Sequence, residues 1–176
     1  MNAITTRDIE RCFMGLISLH PAHFFMKSID TTSTFDMASS VAELQRLMHD
    51  MPQWDAGKHT THHFADQMYC RVLFRPAGTL IVGKAHKKSH FYIVCVGSVL
   101  VTDGEGNAKQ LEGPCVVSSK PGTKRAVLAL TDAVCLTVHI TDKTDLEEIE
   151  RELIEPDETA LFDAHNRLKS DLEKLK

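Results

Sequence analysis

The sequence predicts a mainly β protein, an antiparallel sandwich or barrel flanked by helices. Between residues 68 and 141 the chain is a succession of short runs rich in Val, Ile, Leu and Phe, and clusters of Gly, Pro and Asp separate them. No helical periodicity intervenes, whereas a parallel sheet needs crossover helices between its strands.

Each element can be justified in turn. Over residues 6–19, Ile9, Cys12, Phe13, Leu16 and Ile17 recur at spacings of three and four and form one helical stripe, which Pro21 stops. A Ser/Thr-rich loop over 28–39 follows. Ser40 with Glu43 reads as a capping box, with Val41, Leu44, Leu47 and Met48 as the buried stripe before Pro52. The expected strands are 68–74, 79–82, 91–96, 98–102, 109–112, 115–118, 125–130 and 134–140. Their separators include Pro76-Ala77-Gly78, Gly97, residues 103–107, Gly113-Pro114 and Pro121-Gly122.

The tail returns to helix. Thr144 with Glu147 reads as a second capping box, Leu146, Ile149 and Leu153 as its stripe, and Pro156 as its end. A last helix is expected to carry Leu161, His165, Leu168, Leu172 and Leu175 in an a/d rhythm, which suits either packing on the parent chain or pairing with a second copy. The expected division is a helical N-terminal extension over 1–60, a β-barrel over 61–141 and two C-terminal helices over 142–176.

Composition narrows the function classes. With 176 residues, 43% hydrophobic and 25% charged, the chain can bury a core and has ordinary globular composition. A net charge of −4 offers no broad basic field, so general nucleic-acid binding is not expected. The five cysteines, Cys12, Cys70, Cys95, Cys115 and Cys135, show no C-x-x-C spacing and read as small buried thiols of a reducing compartment. The first residues lack the order of a signal peptide and no run of membrane-spanning length occurs, so a cytoplasmic protein with no membrane partner is the expectation. Walker, dinucleotide, G-x-S-x-G and H-E-x-x-H motifs are absent, and the carboxylates of 147–155 read as a solvated face.

The segment Gly83-Lys84-Ala85-His86-Lys87-Lys88-Ser89-His90, continuing to Gly97, resembles the first motif of the cupin superfamily, His-x-His followed by Glu and then Gly. Aligned on Gly97, His90 stands at the glutamate position, His86 at the second histidine and Lys84 at the first. Pro121-Gly122-Thr123-Lys124-Arg125 resembles the second motif, with Arg125 at its histidine. A wider resemblance, to small cupin-like proteins of bacteriophages and prophages, rests on several pieces. These are His62-His63-Phe64, Tyr69-Cys70-Arg71, Arg75-Pro76-Ala77-Gly78-Thr79, the 83–90 and 120–125 segments, and Thr137-Val138-His139 leading into Thr144-Asp145-Leu146. The resemblance implies an antiparallel double-stranded β-helix, the cupin jelly-roll barrel, and, for a phage protein, residence in a host cytoplasm.

Ligand chemistry makes a separate case. His86, His90 and His139 could hold a divalent metal (Fe, Zn, Mn or Ni), because imidazole nitrogens suit such ions and three of them leave coordination positions open. His139 lies on an otherwise apolar strand and shares a face with Thr137, so histidines of neighbouring strands could converge inside a barrel. The alternative is three hydrogen-bonded core or rim histidines. His62 and His63, which precede the expected strands of the barrel, are expected at the surface or as outer partners of a ligand.

Arg71, Arg75, Lys84, Lys124 and Arg125 form a second constellation, and Tyr92, which shares parity with His90, is a further candidate inward residue whose alternative is simple packing. Arg71 and Arg75 share a strand face with Leu73; inside the barrel they could grip a carboxylate or phosphate, and outside they would be solvated. Two functions stay open: a metalloenzyme acting on a small anionic molecule, or a non-catalytic protein that uses the barrel to bind a small molecule, a host protein or a second copy of itself in a homodimer.

Overall fold

The computed structural model describes residues 37–49, 53–102 and 108–169. The helix expected at 6–19, Cys12, the turn at 103–107, Leu172 and Leu175 lie outside the described residues, as do the side chains of Ser40, Glu43 and Leu47.

The strands are β1 (Thr60–Ala65), β2 (Met68–Arg75), β3 (Leu80–Val82), β4 (His90–Val96), β5 (Ser98–Thr102), β6 (Ala108–Glu112), β7 (Cys115–Ser119), β8 (Ala126–Ala129) and β9 (Ala133–Ile140). They form two antiparallel sheets, ordered β1-β2-β9-β4-β7 and β3-β8-β5-β6. The chain passes repeatedly from one sheet to the other, so the inward residues of both make a single core. Gly97 is the sharpest crossing: with φ +85° it joins β4 to β5, and a Cβ there would lie 2.2 Å from the Asp132 carbonyl oxygen. A bulge at Val94/Val96 turns the end of β4 toward that corner.

Pleating decides what the core receives. Tyr92, Val94 and Cys135 face Val99, Val101, Leu111 and Val127 across the two sheets and are all buried. Strand β8 is buried along its whole length because helix α1 (Met37–Met48) covers its other face, placing Leu44 and Met48 on Ala126 and Leu128. That helix is already formed at Met37, so Ser40 is not its cap; the good helix formers Met37 and Ala38 extend it. Of the cysteines, Cys135 is buried while Cys70, Cys95 and Cys115 are half-buried, and all four are free thiols.

The tail departs furthest from expectation. Helix α2 (Leu146–Leu153) is capped by Asp145, not Thr144: the Asp145 carboxylate accepts the Glu148 amide at 3.0 Å. Its buried side chains Ile149 and Leu153 pack with Ile154 on Tyr69, closing one end of the barrel. The helix expected through Leu161, His165 and Leu168 is not formed over 154–168, which runs as turns with a Phe162–Leu168 bridge. Asp163 is the cause. Its carboxylate accepts the amides of His165 and Arg167 at 2.9 and 2.8 Å and the Arg167 Nε–H at 2.8 Å, and Asn166 takes φ +57°. Such side-chain bonds to nearby amides compete directly with helix formation. Leu161 packs on the parent chain, in the cluster beneath α1.

Candidate metal centre and the adjoining cavity

Inward-facing residues of the five-stranded sheet lie in layers. Tyr69 pairs with His139, and His90 with Ser119; the Phe91–Val138 pairing sets His90 beside His139. The next layer inward holds Arg71, Thr137 and Tyr92, which are direct cross-strand partners. His86 comes from the β3–β4 loop, where backbone contacts fix it: its carbonyl accepts the Gly122 amide at 2.8 Å, and the Lys87 amide donates to the Leu153 carbonyl at 2.8 Å. An antiparallel bridge to Ile154 ties the same residue to the tail.

These elements bring His86, His90 and His139 together. All three are buried, at 6%, 7% and 4% exposure. Their ring centroids are 4.0, 4.9 and 4.8 Å apart. One nitrogen from each lies within 4.8 Å of the others; two metal–nitrogen bonds of about 2.0–2.1 Å each span at most about 4.2 Å, so the rings would draw in slightly on an ion.

Their electrostatics favour the neutral ligand form. Burial, reinforced by the neighbouring histidines and Arg71, pushes His86 down to about 2 and His139 down to about 3. Burial also lowers His90, against a weak 3.4 Å contact from its Nδ1 to the Lys88 carbonyl. His86 Nε2 and His139 Nδ1 are buried without a hydrogen-bond partner in the protein. A buried polar atom left unpaired costs about 1–3 kcal/mol, and an electron-pair acceptor between the rings would relieve both at once. The residues present fit a divalent metal.

Tyr69 lies against this cluster, its ring 5.9 Å from that of His139, and its hydroxyl meets His62 Nδ1 at 2.7 Å. His62, on the inward face of β1, is thus the histidine connected to the cluster. His63 is exposed on the opposite face, paired with Cys70, and is not an outer partner of the cluster histidines. His62 thus takes the outer position that the sequence offers to it and His63 alike, whereas nothing in the sequence marks Tyr69 as a site residue and only the Tyr69–His139 register could have done so.

The second constellation divides. Arg71, Arg75, Lys84, Tyr92 and Thr137 line a cavity of ≈ 80 Å³ inside the barrel. Arg71 also lines a smaller cavity beside His86 and His139 and so stands between the two. Lys84 is engaged with Glu150 and with the Asp163 carbonyl. Arg125 is not at the cavity: its Nη1 donates to Ser119 Oγ at 2.7 Å. Arg75 and Tyr92 are buried, and the guanidinium carbon lies 5.9 Å from the ring centroid, at the limit of a cation–π contact.

No protein-family model matches the chain, and no curated protein matches it. Among solved structures, the chain is similar to a cupin superfamily protein from Desulfitobacterium hafniense, at 10% identity and TM-score 0.41 over 68% of this chain and all of that one. It is also similar to the cupin domain of Schizosaccharomyces pombe Cnp3, at 16% identity and TM-score 0.41 over 47% of this chain and 64% of that one. A third is the cupin domain of a transcriptional regulator from Enterobacter cloacae, at 12% identity and TM-score 0.40 over 48% and 96%. No described helix is long and apolar enough to cross a membrane.

Proposed function

We propose that this chain is a cupin-type barrel that holds a divalent metal ion on His86, His90 and His139 and binds a small anionic molecule in the adjoining cavity. The observation that carries the reading is the pair of buried, unpartnered ring nitrogens on His86 and His139, within one cluster of three buried histidines. Neutral imidazoles suit Fe, Zn, Mn or Ni, and a bound ion would supply Lewis-acid polarisation of a ligand oxygen or activation of water. The chain's own residues hold the rings: β4 and β9 fix two of them, and the tail pins the loop that carries the third. Helix α2 shields that end of the barrel from solvent through Ile149 and Leu153.

The test is titration of metal-depleted protein with Fe(II), Zn(II), Mn(II) and Ni(II), with metal content read by elemental analysis. The expected result is one equivalent of at least one ion, lost in His86→Ala and His139→Ala. Failure to bind any of the four, or unchanged binding in both variants, contradicts the reading.

A second reading, a non-catalytic interaction protein, is favoured by the outer face of the five-stranded sheet, where Phe91, Val116 and Ile140 are 53%, 62% and 71% exposed. A second copy or a host protein could use that face. An Ile140→Lys change that leaves mass in solution and metal binding unaltered would count against it. Origin in a phage genome and residence in a host cytoplasm rest on the motif resemblance alone.

A further inference from the structure

We infer that Arg75, with the hydroxyls of Tyr92 and Thr137, forms a subsite for the carboxylate of a small ligand with a short, largely apolar body. This rests on the reading of the barrel interior as a ligand-binding cavity and names the ligand's chemical class and the atoms that hold it.

The starting observation is an unpaired charge. Arg75 is 7% exposed, yet its Nε and Nη1 have no hydrogen-bond partner in the protein, and no described residue forms an ion pair with it. A guanidinium cannot shed its proton to escape this, as a buried lysine or carboxyl can. Burying a charge is tolerable when it is paired and hydrogen-bonded, and unfavourable by several kcal/mol when it is not. No carboxylate lines the cavity among the described residues; of the other two wall cations, the half-buried Arg71 and Lys84, the lysine already has Glu150. The charge balance of the cavity therefore calls for an anion.

The remaining polar atoms point the same way. Tyr92 Oη and Thr137 Oγ1 are buried without a hydrogen bond of ordinary geometry; the tyrosine has only the weak thiol of Cys135 nearby. Both belong to adjacent inward positions, because Tyr92 and Thr137 are cross-strand partners. One guanidinium edge and two hydroxyls make a donor set for the two oxygens of a carboxylate, whose plane matches the guanidinium fork.

The size and walls of the cavity select within the anions. Its ≈ 80 Å³ exceeds the roughly 10–15 Å³ that one water needs, leaving room for a ligand of several heavy atoms. Leu73, Ile81, Val82 and Cys135 make most of the rest of the wall apolar. A dianionic phosphate is more strongly hydrated than a monocarboxylate and loses more on entering a wall this apolar. A monocarboxylate matches both the charge and the wall. Thr137 and Tyr92 sit two residues along their strands from His139 and His90, a rise of roughly 7 Å, and Arg71 stands in their own layer as the cross-strand partner of Thr137, so the far end of such a ligand lies toward the histidines.

The test uses metal-depleted full-length protein, so that it stands apart from metal binding. Formate, acetate, propionate, butyrate and inorganic phosphate are titrated by calorimetry and thermal shift against chloride at matched ionic strength. The expected result is saturable binding of at least one carboxylate, more tightly than phosphate. Arg75→Met is expected to weaken that binding at least tenfold and Tyr92→Phe at least threefold, with metal uptake unchanged in both. Arg75→Met replaces a buried unpaired charge with a neutral chain of similar length, and its thermal midpoint is expected to equal or exceed that of the wild type without ligand. Three results overturn the inference: no carboxylate binding above chloride, phosphate binding more tightly than every carboxylate, or wild-type carboxylate affinity in folded Arg75→Met. If the metal reading alone is wrong, carboxylate binding survives in a protein that takes up no metal; if this inference alone is wrong, metal uptake survives without it.

Discussion

Acid should destabilise the metal-free protein well above the pH at which carboxylates titrate. Lowering the pH from 7 to 5 crosses the ordinary histidine value of 6.5, while the folded values of His86 and His139 stay near 2 and 3. In this window the unfolded chain takes up protons that the folded chain refuses, so stability is full above 6.5 and falls as the pH drops toward the folded values. Each of the two histidines then loses about 2 kcal/mol between pH 7 and pH 5, about 4 kcal/mol together. Folded domains are typically stable by about 5–15 kcal/mol, so this loss is readily measured. His90 and His62, whose values burial also lowers, act in the same direction. Urea unfolding of chelator-treated protein at the two pH values measures the effect, and His86→Gln and His139→Gln should each remove about half of it. Equal or greater stability at pH 5 than at pH 7 would refute the assignment of these rings as buried and neutral.

Three further expectations concern the frame around the site. Leu153→Ala, at a position 2% exposed beneath Tyr69, should cost about 2–5 kcal/mol by urea unfolding. Asp145→Ala removes the cap of α2 and should cost about 0.5–2 kcal/mol, with faster metal loss to a chelator because the same helix closes the barrel end. Gly97→Ala forces a Cβ against the Asp132 carbonyl at a positive φ and should lower the thermal midpoint sharply; a variant as stable as the wild type would contradict the described corner.

Much of the β architecture can be read from the sequence because period-two apolar runs and turn residues are local signals. Strand β1 escapes that reading: Thr60–Ala65 is a polar edge strand with one partner, exposed along much of its length, so it shows little hydrophobic pattern. Over 161–168 the expected last helix fails for the opposite reason, since its a/d rhythm is present but the Asp163 side chain ties up the amides it needs. Within the site, His139 is visible as a polar residue on an apolar strand. The place of His86 is set by Gly122 and Ile154, distant in sequence, and no local pattern records them. The facing of Arg71 and Arg75 is undecidable from β2 alone; pairing with β9 turns both inward. The engagement of Lys84 by Glu150 and of Arg125 by Ser119 likewise depends on tertiary neighbours.

X-ray absorption of protein loaded with Zn(II) tests the metal centre most directly. The account predicts a shell containing three imidazole nitrogens at about 2.0–2.1 Å in the wild type, and no retained Zn(II) to give such a shell in His139→Ala. A sulfur shell at about 2.3 Å, or a spectrum without imidazole scattering, would contradict it.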